Sequence, residues 1–203
     1  WGGIYKIDLH PGNEGVKVWF ADAAVSKDES ARTRGMAMWG DKVYKDMVDG
    51  RVIAVNRETG EFEWDLQVAR SPRPESVVGA LTTLELLKGE QFTAAPLAVE
   101  GKILVGQAFG DRANRGWLQA MDWETGDEIW RTYTVPGPGE PGHETWKDEY
   151  NAWKTGGASL WTTGSYDVGT RTTLWGTGNA IPQIDVEYRP GDNLYSAAVV
   201  AFD

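Results

Sequence analysis

The strongest constraint on this chain is an eleven-residue pattern that occurs twice, as AVNRETGEFEW at Ala54–Trp64 and as AMDWETGDEIW at Ala120–Trp130. Each copy has an apolar start, an Asn or Asp, a Thr-Gly pair, an acidic residue and a closing tryptophan. A degenerate copy with a longer turn, KIDLHPGNEGVKVW, ends at Trp19, and a fourth copy begins at Ala201–Asp203. Repetition of one short unit indicates a fold built by stacking that unit, and this unit favours a β-propeller.

The residues of the pattern predict a β-hairpin that ends on a tryptophan. Asn56 and Asp122 start the turn, where a short polar side chain can bond the backbone two residues later. Gly60 and Gly126 follow at a position where such turns need a positive φ, which glycine adopts without a Cβ clash. The closing indole covers a large apolar area, and its N–H needs a hydrogen-bond partner.

The composition favours an all-β fold and argues against several functions. The 203 residues include 11 tryptophans and 25 glycines, which is typical of short strands in radial folds. A net charge of −10 argues against binding to nucleic acid or to an anionic membrane surface. Without cysteine, the chain has no disulfide, thiolate metal site or cysteine nucleophile. It has no apolar run long enough to be a transmembrane segment, and it carries no signal for an oligomeric state.

Short strand-like runs recur along the chain, and no segment has a convincing helical pattern. Grouped in fours, they predict roughly three blades plus partial ones. We expect residues 1–203 to form part of one propeller domain, with blades continuing before residue 1 and after residue 203. The predicted strands are Met36–Trp39, Lys42–Tyr44, Arg51–Asn56, Glu61–Gln67, Ala95–Val99, Lys102–Gly106, Trp117–Asp122, Glu128–Tyr133, Leu160–Gly164, Thr172–Gly176 and Ala197–Phe202.

Three long connections interrupt the strands, at Ala21–Gly35, Arg70–Thr93 and Pro136–Gly157. Connections of this length in a compact domain are often functional. The third contains several aromatic residues, which indicates that it either folds over a site or packs against a neighbouring blade. The two histidines, His10 and His143, lie in Pro/Gly-rich loops and are interpreted as solvated.

Two segments carry a resemblance to a known family. Gly106–Trp146 begins with GQAFGDRANRGWLQAMDWETGDEIWR, and Gly156–Asp203 contains the blocks GGASLW, GTGN and RPGDN. At this spacing they are similar to the pyrroloquinoline-quinone (PQQ)-dependent alcohol dehydrogenases, which include the methanol dehydrogenase large subunits. The resemblance runs from about Ala31 to Asp203. It implies about three to four blades of an eight-bladed parent propeller with tryptophan-docking repeats.

The resemblance implies a site for a flat ortho-quinone with three carboxylates, held beside a hard cation. Such a group needs an aromatic floor, arginine and hydroxyl donors, and oxygen ligands for the cation. Trp161 corresponds to the floor under the ring, and Arg34 to an arginine that contacts the quinone oxygens and carboxylates. Thr93 corresponds to a threonine that reaches a cofactor carboxylate, and Gly110 to a backbone position along the cofactor.

The resemblance implies that Asn179 and Asp111 are metal ligands. Asn179 ends the GTGN block, where the family has an amide-oxygen ligand, and Asp111 stands where the family has glutamate. Because aspartate is one methylene shorter, either the backbone moves inward, or the metal loses bidentate contact, or the site is weakened. The implied cation is calcium or a lanthanide.

This chain departs from the family pattern at three points. Ala108 replaces a family serine, so one hydroxyl donor is missing, and Phe109 replaces a residue that is usually glycine, so its bulk would crowd the ring. Many relatives have two adjacent cysteines that form a disulfide ring above the cofactor, whereas this chain has Asp28 and Glu29 there. The wall above the quinone must therefore be built differently.

The resemblance implies a periplasmic enzyme that oxidises a small alcohol by hydride transfer to the quinone, with the metal acting as a Lewis acid. A cytochrome c-type protein would accept the electrons. The general base of the family lies in a later blade, so no catalytic residue is assigned within residues 1–203. The departures leave a second hypothesis open, a non-catalytic propeller that serves as a binding or assembly scaffold.

Overall fold

The chain folds into short antiparallel strands. The computed structural model describes residues 2–10, 12, 14–26, 32–69, 89–147 and 150–203. The strands in these ranges are β1 Gly3–Asp8, β2 Val16–Asp22, β3 Ala37–Trp39, β4 Lys42–Asp46, β5 Arg51–Asn56, β6 Phe62–Gln67, β7 Leu97–Val99, β8 Lys102–Gly106, β9 Trp117–Asp122, β10 Glu128–Tyr133, β11 Ser165–Asp167, β12 Thr172–Gly176 and β13 Val199–Phe202. Single 3-10 turns cover Gly110–Arg112, His143–Thr145 and Ala152–Thr155. No described helix has the length and apolar character needed to cross a membrane.

Within each sheet, strands that are consecutive in the chain pair antiparallel, so each sheet is a hairpin or a meander. The described strands form four sheets, numbered here in chain order: sheet 1 (β1–β2), sheet 2 (β3–β6), sheet 3 (β7–β10) and sheet 4 (β11–β13). The all-β prediction is confirmed, and sheets 2 and 3 each have the four strands expected of a blade. The number of blades in the parent propeller stays a prediction.

The turns of the repeat form as the sequence predicts. Asn56 Oδ1 accepts backbone hydrogen bonds from Glu58 and Thr59 at 3.0 and 3.1 Å. Asp122 Oδ1 accepts the equivalent bonds in the second copy at 2.8 and 2.9 Å, and these bonds hold the pKa of its carboxyl below the usual range. The two turn glycines have φ values of +80° and +79°. Local side-chain bonds and glycine geometry together close both hairpins.

Hydrophobic clusters lie between successive sheets. In β5, Val52 and Ala54 belong to a cluster shared with sheet 3, whereas Ile53 and Val55 belong to one shared with sheet 1. This division follows from the alternation of side chains along a strand. A third cluster joins sheets 3 and 4 around the fully buried Trp175. The sheets therefore stack face to face in chain order.

The tryptophans that close the repeats join each sheet to the next. The indole of Trp19 packs on Gly60, where a Cβ would lie 2.8 Å from the ring, and its Nε1 donates to the Arg57 carbonyl at 3.2 Å. Trp64 packs on Gly126 in the same way, and its Nε1 donates to a carbonyl of that turn at 3.1 Å. Each indole thus buries its ring and satisfies its donor on the following turn.

One predicted strand is wrong. Leu160–Gly164 is not a strand, and the three residues that follow it form β11 instead. Thr163 Oγ1 donates to the Ala95 carbonyl at 2.8 Å and accepts from the Ala95 amide at 3.0 Å. This segment therefore bonds to the loop that leads into β7, the first strand of sheet 3. A Cβ on Gly164 would lie 2.4 Å from Trp175. The other predicted strands are present, with ends shifted by at most two residues.

The described part of the Pro136–Gly157 connection packs against the body of the protein. Trp146 is buried with Val135, Ala158 and Ala180, and its Nε1 donates to the Leu194 carbonyl at 2.5 Å. This packing favours the second of the two interpretations of the loop.

The two histidines differ in their surroundings. The interpretation of His143 as solvated is wrong, because its half-buried ring lies edge-on to Trp153 at 5.7 Å and its Nδ1 is 3.1 Å from the Pro136 carbonyl. The His10 side chain is 98% exposed, as predicted.

Candidate cofactor and cation site

The eight residues assigned from the resemblance come together at one end of sheets 2, 3 and 4. In an antiparallel meander, the start of the first strand and the end of the second lie at the same end of the sheet. Arg34, Thr93 and Trp161 precede the first strands β3, β7 and β11. Ala108–Asp111 follows β8, and Asn179 follows β12. Residues far apart in the sequence therefore share one place in the fold.

A cavity of about 250 Å³ lies at this end of the sheets. Two of its lining residues, Arg32 and Ser159, were not assigned from the sequence. The assigned lining residues are Arg34, Thr93, Ala108, Phe109, Gly110, Asp111, Trp161 and Asn179. A second cavity of about 340 Å³ lies between sheets 3 and 4 and contains none of them.

Trp161, Arg34 and Thr93 contact one another in the cavity. The Arg34 guanidinium carbon lies 5.1 Å from the centroid of the Trp161 ring, within cation–π range. Arg34 Nη1 donates to the Thr93 carbonyl at 3.1 Å, and Thr93 Oγ1 donates to the Trp161 carbonyl at 3.3 Å. The Trp161 side of the cavity is open, since this residue is 46% exposed. A flat ring that entered would meet an indole face and a fixed positive charge.

Ala108, Phe109 and Gly110 form the backbone wall. Phe109 has φ +60° and ψ 43°, a left-handed conformation that glycine adopts without strain, which explains why glycine suits this position. Its ring packs under the guanidinium of Arg112, whose Cζ lies 3.8 Å from the ring centroid. A Cβ on Gly110 would lie 3.0 Å from Ser159 Oγ, so the wall has no room for a side chain there.

Asp111 and Asn179 meet directly, and a third side chain joins them. Asn179 Nδ2 donates to Asp111 Oδ1 at 3.2 Å, and Gln183 Nε2 donates to the same oxygen at 3.2 Å. Asp111 is the one carboxylate among the described residues that line the cavity, and the described residues contain no cluster of three or more His, Cys, Asp or Glu that could hold a metal. A hard cation at this point would therefore depend on amide oxygens and on oxygens of a bound cofactor.

A buried carboxyl, Asp46, lies near Arg34. Asp46 is 2% exposed, and within the described part of the chain neither of its oxygens has a hydrogen-bond partner. Burial raises the pKa of this carboxyl well above its usual range, and the positive charges of Lys45 and Arg34 oppose the rise. Burial also lowers the pKa of Lys45. A buried polar atom without a hydrogen-bond partner lowers the stability of the folded state, so Asp46 destabilises the protein close to the site.

Comparison with known proteins identifies the family. The sequence matches the family model for the PQQ glucose/ethanol/alcohol dehydrogenase β-propeller domain over residues 7–203. The chain belongs to the PQQ-dependent dehydrogenase family. The match covers nearly all of the described residues, including every residue of the cavity.

Characterised members of the PQQ-dependent dehydrogenase family are similar to the chain over most of its length. Quinohemoprotein alcohol dehydrogenase ADH IIB of Pseudomonas putida is 34% identical over 220 aligned positions, which cover 99% of this chain and 29% of that protein. Methanol dehydrogenase [cytochrome c] subunit 1 of Methylorubrum extorquens is 31% identical over 84% of this chain and 28% of its own length. The chain thus spans less than a third of each relative.

A solved structure from the PQQ-dependent dehydrogenases supports the fold. A europium-containing methanol dehydrogenase superposes with a TM-score of 0.79 and 28% identity, covering 98% of this chain and 36% of that one. The β-propeller prediction is therefore confirmed, and the resemblance stated from the GGASLW, GTGN and RPGDN blocks is confirmed as family membership.

The types of side chain that line the cavity match those that the cofactor of PQQ-dependent dehydrogenases requires. The cavity offers an indole face, the cations Arg32 and Arg34, and the oxygen-bearing pair Asp111 and Asn179. These are the groups that a flat, anionic quinone beside a hard cation requires. Asp28 and Glu29, the residues at the position of the family disulfide, lie outside the described residues.

Three residues near the cavity were missed from the sequence. Arg32 and Ser159 stand two positions before Arg34 and Trp161, so period-2 alternation in extended backbone indicates the same face for each pair. No local pattern indicates Gln183, because its contact with Asp111 spans 72 residues and depends on the path of the loop after Asn179.

Proposed function

We propose that this chain supplies the cofactor floor and the cation ligands of a PQQ- and metal-dependent dehydrogenase that oxidises small alcohols. The observation that carries the proposal is the convergence of eight residues, chosen from sequence resemblance alone, on one cavity in which Arg34 covers Trp161 and Asn179 contacts Asp111. When bound, PQQ supplies the acceptor for a hydride from the alcohol.

Each residue has a distinct task in this proposal. The Trp161 indole stacks on one face of the ring and fixes its plane. Arg34, with Arg32 beside it, holds anionic oxygens, and a fixed cation near the quinone favours its reduced form. Asp111 Oδ1 and the Asn179 amide oxygen bind the cation, calcium or a lanthanide, because hard cations prefer oxygen ligands.

The proposal extends to partners and location by analogy with the relatives. Methanol dehydrogenase subunit 1 is named with cytochrome c, so we take a cytochrome c-type protein as the electron acceptor. A small alcohol is the substrate, and the periplasm is the location. None of the assigned residues acts as a general base.

A fluorescence titration with PQQ, with and without added calcium or lanthanum, tests this function. We expect saturable quenching of indole emission that requires the metal, because the ring stacks on Trp161. Trp161→Ala removes most of the quenching, whereas Trp161→Phe keeps metal-dependent binding in equilibrium dialysis. The matched control is Trp39→Phe, which removes another exposed indole (37% exposed) at the other end of β3 and outside the cavity lining, and leaves the quenching unchanged.

The absence of binding with either metal would show that the proposal is wrong. Asp111, Phe109 and the lack of a cysteine pair would then have closed the site to the cofactor, which leaves the scaffold hypothesis. Binding that persists in Trp161→Ala with full quenching would show that the cofactor lies elsewhere.

A further inference from the structure

Gln183 occupies an unexpected position beside the two assigned metal ligands. Its Nε2 donates to Asp111 Oδ1 at the same 3.2 Å as Asn179 Nδ2. Two carboxamides, four residues apart in the connection between β12 and β13, therefore donate to one carboxylate oxygen. Asp111 and Asn179 line the cavity, and both amide-bearing residues are exposed to solvent.

A carboxamide that donates to a carboxylate can turn to present its oxygen to a cation at the same place. The terminal torsion of Gln is broad and roughly two-fold, so its oxygen and its NH₂ group exchange positions by rotation. Without a cation, the NH₂ group facing Asp111 is favourable. With a cation on Asp111 Oδ1, the carbonyl oxygen is the group that the cation attracts.

The loop that carries Gln183 is fixed by an arginine. Arg189 Nε donates to the Pro182 carbonyl at 2.7 Å, and Arg189 Nη2 donates to the Gln183 carbonyl at 3.2 Å. Arg189 Nη1 in turn donates to Oδ1 of Asn193 at 2.5 Å, and Asn193 is 2% exposed. The Gln183 backbone is thus held in place by a buried anchor, which lowers the entropy cost of using its side chain as a ligand.

We propose that Gln183 is a third side-chain ligand of the cation, through Oε1, and that it compensates for the short reach of Asp111. The inference rests on the proposed function, since it concerns the same cation. Glutamine is one methylene longer than asparagine, and Gln183 reaches the carboxylate from four residues further along the same β12–β13 connection. It adds an oxygen without adding charge.

Europium luminescence tests this ligand directly. Lifetimes in H₂O and D₂O count the water molecules on bound Eu³⁺, and the protein is held in excess over Eu³⁺ and PQQ. Gln183→Met keeps the side-chain length and removes the oxygen. We expect about one more water on the ion in Gln183→Met, because solvent fills a vacated position on a hard cation. Gln183→Glu retains an oxygen ligand and does not raise the water count.

Two further variants make the result decisive. Asn179→Ala is the positive reference and also adds water to the ion. Ile184→Ala is the matched control in the same loop, because Ile184 is 94% exposed, and its count equals that of the unaltered protein. Circular dichroism verifies that each variant folds.

The outcomes separate this inference from the proposed function. If Gln183→Met weakens Eu³⁺ binding but its water count stays unchanged, Gln183 only orients Asp111 and the inference is wrong. The same conclusion follows if Asn179→Ala gains water and Gln183→Met does not. If the unaltered protein binds no Eu³⁺, the proposed cation site fails, and the Gln183 assignment fails with it.

Discussion

Asp46→Asn is expected to stabilise the protein more strongly as the pH rises. Asp46 is buried at the end of β4, and neither carboxyl oxygen has a hydrogen-bond partner among the described residues. Burial penalises the charged form, so the pKa of this carboxyl is raised well above its usual range. The asparagine amide has nearly the same shape and never ionises. The substitution therefore isolates the cost of the buried charge.

The sign and size of the effect follow from proton linkage. Between the pKa of the unfolded chain and the raised pKa of the folded protein, the folded state binds more protons at Asp46. Stability is therefore lost as the pH rises through this window, with a limiting slope of about 1.4 kcal/mol per pH unit. If the window extends to pH 7, the advantage of Asp46→Asn grows by up to about 3 kcal/mol between pH 5 and pH 7. The positive charges of Lys45 and Arg34 reduce this value, because they stabilise the ionised carboxylate.

Urea denaturation at pH 5, 6, 7 and 8 measures the effect as the difference in unfolding free energy between the variant and the unaltered protein. Glu187→Gln is the matched control, because it also removes one negative charge, from an exposed loop. The control should show no comparable trend with pH. Parallel stability curves for Asp46→Asn and the unaltered protein would refute the reasoning, since they would mean that Asp46 has the same pKa in both states.

Two other substitutions test the packing between sheets. Gly126→Ala should cost about 3 kcal/mol, from left-handed strain plus overpacking against Leu66 and Trp64, whereas Gly139→Ala at φ +85°, with no atom within 4 Å, should cost about 1 kcal/mol from strain alone. Equal costs, measured from urea midpoints, would show that the close packing of Leu66 and Trp64 on this turn contributes nothing to the cost. Tyr44→Phe should cost about 1 to 2 kcal/mol, because the Trp123 carbonyl loses the hydroxyl that donates to it at 2.7 Å. A denaturation midpoint unchanged from that of the unaltered protein would contradict this value.

The hairpins of the repeat could be predicted because their information is local. Asn56, Gly60 and Trp64 lie within one eleven-residue copy, and the turn bonds and positive φ that they predict are present. The non-strand conformation of Leu160–Gly164 could not be predicted, since the Thr163 hydroxyl bonds to Ala95 in the loop before β7. Strand propensity depends on the local sequence, so it does not include a hydrogen bond to a residue 68 positions away.

The candidate site was predictable only through family resemblance. Arg34, Thr93 and Trp161 are separated by long stretches of sequence, and no periodicity links them before the sheets stack. Resemblance also gave no indication of Gln183, because its contact depends on how Arg189 holds the loop after Asn179.

The linkage of Trp19 to Gly60 and of Trp64 to Gly126 has a consequence for how such a chain can evolve. The repeat Ala54–Trp64 carries both halves of the linkage, because its glycine turn receives the preceding indole and its own indole reaches the following turn. A duplicated repeat therefore inherits a complete set of contacts with both neighbours and needs no new complementary mutations. The cavity lies at the ends of the strands, away from these contacts. Its residues can diverge in each copy while the inherited linkage keeps the number and order of sheets intact.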